Sequence, residues 1–476
     1  MQMISFVLMG FVTVIFCLLL ICNTLIKDME KRISISNWIL LVASYLFVVY
    51  ADYRFAIILG VVTLSTYYFA KHSKYSNVGI IIALLSLGYF KYMNFFSETL
   101  MNLLGKEYER LSIFLPIGIS FYVFSAIGYI VDVKRNKIKV RALKDVALYL
   151  AFFPKLTSGP IQSSNSFFEQ MDSDRQVNLN SFLTGIQIFM FGMGKKTVLA
   201  DRLAVFVDQV YETPMCFGSL TVFLAAAAYP LQIYFDFSGY SDMAIGVGKI
   251  LGFDLPNNFN LPYVAHNVTE LWKRWHITLS TWLQEYVYIS LGGNRKGKLR
   301  AYVNLILTML IGGLWHGANW TYIAWGFLSG ITLVAHKVWM NISNSHKRSP
   351  SLFGSGISII CTYLFAIFSE IFFRASSISH AISIISRIFS FSAGVEHIYF
   401  WLIVAIFVFV IACVAASLKS EHNLENAKIK NVSMINGYYP VMDLSKLHCL
   451  IIFFVFCGLV LCLAYTGGSP FIYGRF

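Results

Sequence analysis

The chain has 476 residues, of which 57% are hydrophobic and only 13% charged, and its mean hydropathy is +0.65. A soluble domain carries about 25% charged residues, so an ordinary soluble enzyme is excluded, and repeated apolar runs of about 18 residues or more mark a polytopic membrane protein. The 37 Lys+Arg against 24 Asp+Glu give a formal net charge of +13, but these basic residues stand in short connections between apolar segments, where they set topology and meet anionic lipid; no nucleic-acid partner follows from them.

The first apolar segment, residues 4–26, has no basic residue before it and no small-residue cleavage site after it, so it reads as a retained span and not as a signal peptide. Lys27, Lys31 and Arg32 follow it, which by the positive-inside rule puts the amino terminus outside and this loop in the cytoplasm. Further spans are expected near residues 38–50, 55–70, 78–90 and 111–131. The loop after them holds Lys134, Arg135, Lys137, Lys139, Arg141 and Lys144 and is cytoplasmic by the same rule. Phe153-Pro154-Lys155 and Ser158-Gly159-Pro160 then break the helical pattern. Broken backbone at membrane depth must be buried in protein or face water, which fits a re-entrant element or a cavity lining.

Later spans are expected near 181–191, 220–235, 301–314, 320–339, 357–373, 401–418 and 450–465. The expectation is an all-α polytopic protein of about eleven or twelve crossings with interfacial and re-entrant helices, and no separate soluble domain. Between residues 268 and 298 the pattern changes: Trp272, Trp275, Trp282, Tyr286 and Tyr288 are interleaved with Lys273 and Arg274 and followed by Arg295, Lys296 and Lys298. Such a segment lies along the interface. Cys17, Cys22, Cys361, Cys413, Cys457 and Cys462 sit inside apolar runs without metal-ligand spacing and read as small buried hydrophobes.

The most informative polar residue is His316, in Gly312-Gly313-Leu314-Trp315-His316-Gly317-Ala318-Asn319-Trp320. Counted from the basic cluster Arg295–Arg300, a rise of about 1.5 Å per residue carries it up to about 24 Å along the next helix, into the bilayer and towards its outer half. An ionisable side chain there faces a bundle interior or a wet cavity. Two roles are open on these residues alone: a hydrogen bond across a helix interface, or a general base, for which an imidazole pKa near ~6.5 is suited. His276, in Trp272-Lys273-Arg274-Trp275-His276, either sits in the interfacial aromatic belt or lines the route to His316. The bland alternative for Lys273 and Arg274 is anchorage to lipid headgroups.

Asp236 and Asp242 directly follow an apolar run and must be hydrogen-bonded, paired or protonated. Pairing with an arginine is the expected role, and the two aspartates with Trp315 and Trp320 are read as structural or cavity-lining. No His-x-x-x-His or His-Glu-x-x-His spacing supports a metal site. A phosphate loop, a nucleophile elbow and a dinucleotide fingerprint are also missing, so an ATP pump, a serine hydrolase and a Rossmann oxidoreductase lack their marks.

Taken together, Leu115-Pro116-Ile117-Gly118-Ile119-Ser120-Phe121-Tyr122, Phe153-Pro154 with Ser158-Gly159-Pro160-Ile161, the string from Tyr234 to Asp242, and Asn258-Phe259-Asn260 with Pro262-Tyr263 make the sequence recognisable. The string from Trp272 to Arg295, that from Gly312 to Trp320, and Pro470-Phe471-Ile472-Tyr473 complete the pattern. The chain resembles the membrane-bound O-acyltransferases, within them the bacterial alginate, peptidoglycan and cellulose O-acetylation proteins. Gln284, Ser290 and Gly474 depart from that branch's usual arginine, proline and aromatic, the first two on the interfacial helix that frames the donor entrance.

The resemblance implies a core over residues 111–342 with a central funnel or tunnel, flanked by transmembrane helices at 1–110 and 343–476. It implies an O-acetyltransferase in the bacterial cytoplasmic membrane, with acetyl-CoA as donor substrate and no bound cofactor. A polysaccharide or peptidoglycan would be the acceptor, with a periplasmic acetyl-transfer protein as partner. It makes His316 and His276 the catalytic candidates, with Lys273, Arg274, Asn294 and Arg295 as donor-binding candidates. The catalytic reading expects the His316 imidazole to be reachable from aqueous vestibules on both sides of the membrane. D-alanyl transfer from a carrier protein to wall polymers and a non-catalytic transporter are the alternatives.

Overall fold

The computed structural model describes residues 5–175, 177–343, 352–399, 401, 403, 432–435, 439–465 and 467. Helices dominate it. Among the described residues the strands are Val432–Ile435 and Tyr439–Met442, an antiparallel pair with Val432 opposite Met442. Seven described helices are long and apolar enough to cross a membrane: Val7–Leu25, Met29–Ala51, Tyr53–Lys71, Ser73–Leu103, Ser219–Ile250, Trp320–Ser343 and Gly354–Arg374. The protein is therefore a multi-pass, all-α membrane protein. The span expected near 401–418 lies almost wholly outside the described residues, as do Cys413 and residues 470–474.

The chain forms two compact units, Met1–Phe189 with Tyr240–Asn257 and Met190–Gly239 with Asn258–Phe476. In the first, short polar caps punctuate the apolar runs. Asp28 accepts the Lys31 N–H to start Met29–Ala51, and Asp52 accepts the Arg54 N–H to start Tyr53–Lys71. A carboxylate in that position satisfies backbone donors that the first helical turn leaves open.

The span expected over 111–131 is displaced: the helix runs Ile119–Lys134. Its delay has a local cause. Gly118 adopts φ 71°, and a Cβ there would stand 2.3 Å from the Leu156 carbonyl oxygen, so glycine allows both the left-handed turn and the close approach. The Leu115–Tyr122 string is thereby docked on the broken segment around Pro154. That segment is a short helix, Phe153–Leu156, following Leu143–Ala151. It is anchored by the Phe153 N–H donating to Ser44 Oγ at 3.3 Å, and Lys155 is buried with its Nζ 3.8 Å from the Tyr149 ring centroid.

In the second unit, Lys298–His316 and Trp320–Ser343 are joined by three residues and lie close together. A Cβ on Gly313 would meet the Tyr322 carbonyl oxygen at 2.3 Å, and one on Gly326 would meet the Met309 carbonyl oxygen at 2.4 Å. Small residues at facing positions thus let two backbones touch, the usual way that membrane helices gain packing where lipid supplies no hydrophobic drive. Val268, Met309 and Leu333 form a buried cluster with Trp272, Leu305 and Phe365 packed against it. This ties the segment that starts at Val268 to the helix pair.

Candidate active site

His316 is the last residue of Lys298–His316, where the chain turns out of the helix at an extended Gly317. The turn puts the ring among aromatic side chains. Its centroid lies 4.9 Å from Trp315, 5.1 Å from Trp325 and 5.0 Å from Phe373, each contact close to edge-on. Edge-to-face packing orients the imidazole plane. The residue is 3% exposed. Where the sequence reading expects a ring open to two vestibules, the structure encloses it, because Phe373 arrives from a helix far away in the chain.

His276 stands between Val268–Arg274 and Ile277–Trp282, in the left-handed conformation, φ 42° and ψ 53°. A backbone clamp holds it there. The Asn260 N–H donates to the Arg274 carbonyl at 2.9 Å, and the Ile277 N–H donates to the Asn258 carbonyl at 2.8 Å. Asn258 Oδ1 lies 3.3 Å from His276 Nδ1 and accepts from Thr278 Oγ1 at 2.6 Å. The ring meets Phe237 at 4.7 Å and Trp315 at 5.9 Å, centroid to centroid. Burial pushes His276 down to about 3, so that it is neutral at physiological pH.

The structure therefore brings His276, Trp315 and His316 together and treats the other candidates differently. Asp236 is buried beside Lys196, with Nζ–Oδ1 at 2.5 Å, and the same ammonium reaches Asp201 at 2.7 Å. The expected arginine partner is thus a lysine, presented from the π-helical turn Lys195–Ala200. Asp242 belongs to the first unit and is buried there. Arg274 is engaged by Glu270, its Nη2 at 2.7 Å and Nε at 2.9 Å from Oε1, and its Nη1 donates to the Asn260 carbonyl at 3.3 Å. Lys273, Asn294 and Arg295 are exposed. Trp320 opens the helix after His316 and is 51% exposed.

Several neighbours escape sequence reasoning. Phe237, Trp325 and Phe373 are aromatic residues among many, and nothing local marks them as ring partners of a histidine. Asn258 gives a fainter signal, an amide amid aromatic residues in Asn258-Phe259-Asn260. Among the described residues no group of three or more His, Cys, Asp and Glu side chains gathers in a way that could hold a metal ion. What the site offers chemically is a pair of imidazoles in a dry aromatic setting, His276 held neutral and able to accept a hydrogen bond at neutral pH.

The sequence profile of the membrane-bound O-acyltransferase family matches residues 64–378. The chain is 40% identical over 373 residues to the probable alginate O-acetylase AlgI of Pseudomonas putida, covering 75% of each protein. It is 38% identical over 337 residues to the peptidoglycan O-acetyltransferase of Helicobacter pylori, covering 65% of this chain and 63% of that one. To the teichoic acid D-alanyltransferase of Streptococcus thermophilus it is 32% identical over 237 residues, covering 47% of this chain and 57% of that one.

Proposed function

The chain belongs to the membrane-bound O-acyltransferase family, and from that premise we propose that it moves an acetyl group from cytoplasmic acetyl-CoA across the bacterial cytoplasmic membrane to hydroxyls of an exported or cell-wall polysaccharide, directly or through a periplasmic partner protein. The enzyme is an O-acyltransferase. The observation that carries the reading of its site is the placement of His316 at a helix end, with its ring against the indole that also meets His276. The higher identity to alginate and peptidoglycan O-acetylation proteins than to the D-alanyltransferase favours acetyl over D-alanyl as the group carried.

In this reaction the acceptor oxygen attacks the thioester carbonyl carbon, the C–S bond breaks, and the proton lost by the hydroxyl ends on the sulfur of CoA. His316 takes that proton from the hydroxyl. A positioned base of this kind contributes about 10²–10⁴-fold, and holding thioester and hydroxyl together supplies much of the rest. Lys273, Asn294 and Arg295, exposed on the interfacial segment, would meet the donor's phosphates by charge and hydrogen bonding. Arg274 acts there as a brace, since Glu270 holds its guanidinium.

Mass spectrometry of exopolysaccharide and peptidoglycan from cells with and without the gene tests the proposal. The expected result is loss of an acetyl-sized increment from one polymer, restored by the wild-type gene and not by His316→Gln. Restoration by a His316→Gln protein that accumulates normally would overturn the role given to His316.

A further inference from the structure

We propose that Asn258 is a positioning residue that accepts the Nδ1–H of His276 and thereby leaves the lone pair of that ring on Nε2, so that His276 serves acyl transfer as a hydrogen-bond acceptor that orients the acceptor while His316 takes the proton, and not as a donor to the developing oxyanion. The inference rests on the reading of the histidine pair given above.

The orientation of the amide follows from distances. Thr278 Oγ1 lies 2.6 Å from the Asn258 atom assigned as oxygen. That separation is ordinary for O–H···O and short for N–H···O, so the carbonyl end of the amide faces the hydroxyl. The same Oδ1 lies 3.3 Å from His276 Nδ1. An amide oxygen has no proton to give, so the nitrogen facing it must carry one. The other tautomer would set two lone pairs against each other in a place where Asn258, His276 and Thr278 are all buried, and an unmet polar contact is costly there.

The backbone removes the easy escape. Ile277 N–H donates to the carbonyl of Asn258 itself at 2.8 Å, so residue 258 grips the turn at 276–278 by main chain and side chain at once. A neutral ring fixed in this tautomer offers its Nε2 lone pair to a hydroxyl or a thiol. In the balance of the reaction an O–H bond breaks, its proton passing to His316, and an S–H bond forms, while a His276 ring in this state receives a hydrogen bond that orients the acceptor. It gives no N–H to the carbonyl oxygen of the thioester, which must find its donors elsewhere.

Full-length protein labelled with 15N-histidine and held in lipid bilayers reports the tautomer directly, with the His276 signals identified by their loss in His276→Gln. The expected spectrum has Nδ1 protonated and Nε2 unprotonated, and the reverse overturns the inference. The kinetic arm measures CoA released from acetyl-CoA by the reconstituted protein as a function of pH. Asn258→Asp puts a carboxylate against Nδ1, which favours the imidazolium, so the acid limb of kcat moves up by about one pH unit or more.

Thr278→Val leaves the amide in place but loses its second anchor, and is expected to lower kcat about threefold to tenfold with KM for acetyl-CoA little changed. Wild-type profiles for both variants, alongside an inactive His276→Gln, would sink the role of Asn258 and leave the histidine pair standing. An active His276→Gln would sink both.

Discussion

His276, in the turn between two short helices, and His316, at the end of a long one, meet the same indole: the Trp315 ring centroid lies 5.9 Å from the first imidazole and 4.9 Å from the second. A rigid, flat spacer fixes the two rings relative to one another more firmly than flexible side chains could. The arrangement also gives the rings different surroundings. His316 is walled by Trp325 and Phe373, whereas His276 is gripped by the polar side chain of Asn258.

Replacing His316 with glutamine keeps a polar side chain of similar reach and removes the base. The expected loss in CoA release from acetyl-CoA by the reconstituted protein is about 10²–10⁴-fold, with membrane accumulation unchanged. A variant within about threefold of wild type would show that proton transfer runs through another group.

Burial lowers His276 from 6.5 to about 3. Between those values the unfolded chain holds a proton on this residue that the folded chain lacks, so stability from this source is present above pH 6.5 and is lost as pH falls towards 3. Acidification from pH 7 to pH 5 should cost about 2 kcal/mol through His276. The measurement is Tm in detergent across that range for wild type and His276→Gln. Equal pH slopes in the two proteins would contradict it.

Gly313→Ala places a methyl 2.3 Å from the carbonyl oxygen of Tyr322, and a main-chain atom cannot rotate away. The helices must part, at about 1–3 kcal/mol, and His316 lies less than one turn further on. Lower accumulation and lower activity per molecule are both expected. Gly60→Ala, where nothing lies within 4 Å, serves as the control and should be neutral or slightly stabilising by helix propensity.

Lys196 stands between two buried carboxylates, Asp201 and Asp236. Lys196→Met strands both and should destabilise by about 3–5 kcal/mol, the usual scale for breaking one side of a buried pair. Adding Asp201→Asn and Asp236→Asn should recover much of the loss in accumulation and Tm. No recovery in the triple variant would mean that the ammonium matters through packing and not through charge.

The membrane class and most spans are legible in the sequence because hydropathy over a helix length is a sum, insensitive to which neighbour each residue finds. Hydropathy alone puts the second and third spans at 38 and 55, whereas the helices start at Met29 and Tyr53, where Asp28 and Asp52 meet the needs of a first turn. The start at Ile119 is not legible either, since the conformation of Gly118 answers to Leu156, far along the chain. Lys196 as the partner of Asp236 is not legible, since the two stand forty residues apart and only tertiary packing, through a stretch wound at five-residue spacing, joins them. The two histidines could be singled out, but their wall could not: Trp325 and Phe373 become site residues only through tertiary packing.

The left-handed turn at His276 also bears on descent. A side chain there is tolerated at about 1–2 kcal/mol, with asparagine and glycine the natural occupants of such a turn and valine or isoleucine poor ones. The easiest inheritance to drift towards at this site is therefore an amide or a bare backbone that preserves the turn while discarding the imidazole. A lineage that kept the surrounding helices but carried glycine at 276 would be the fossil of an enzyme whose scaffold outlived its chemistry.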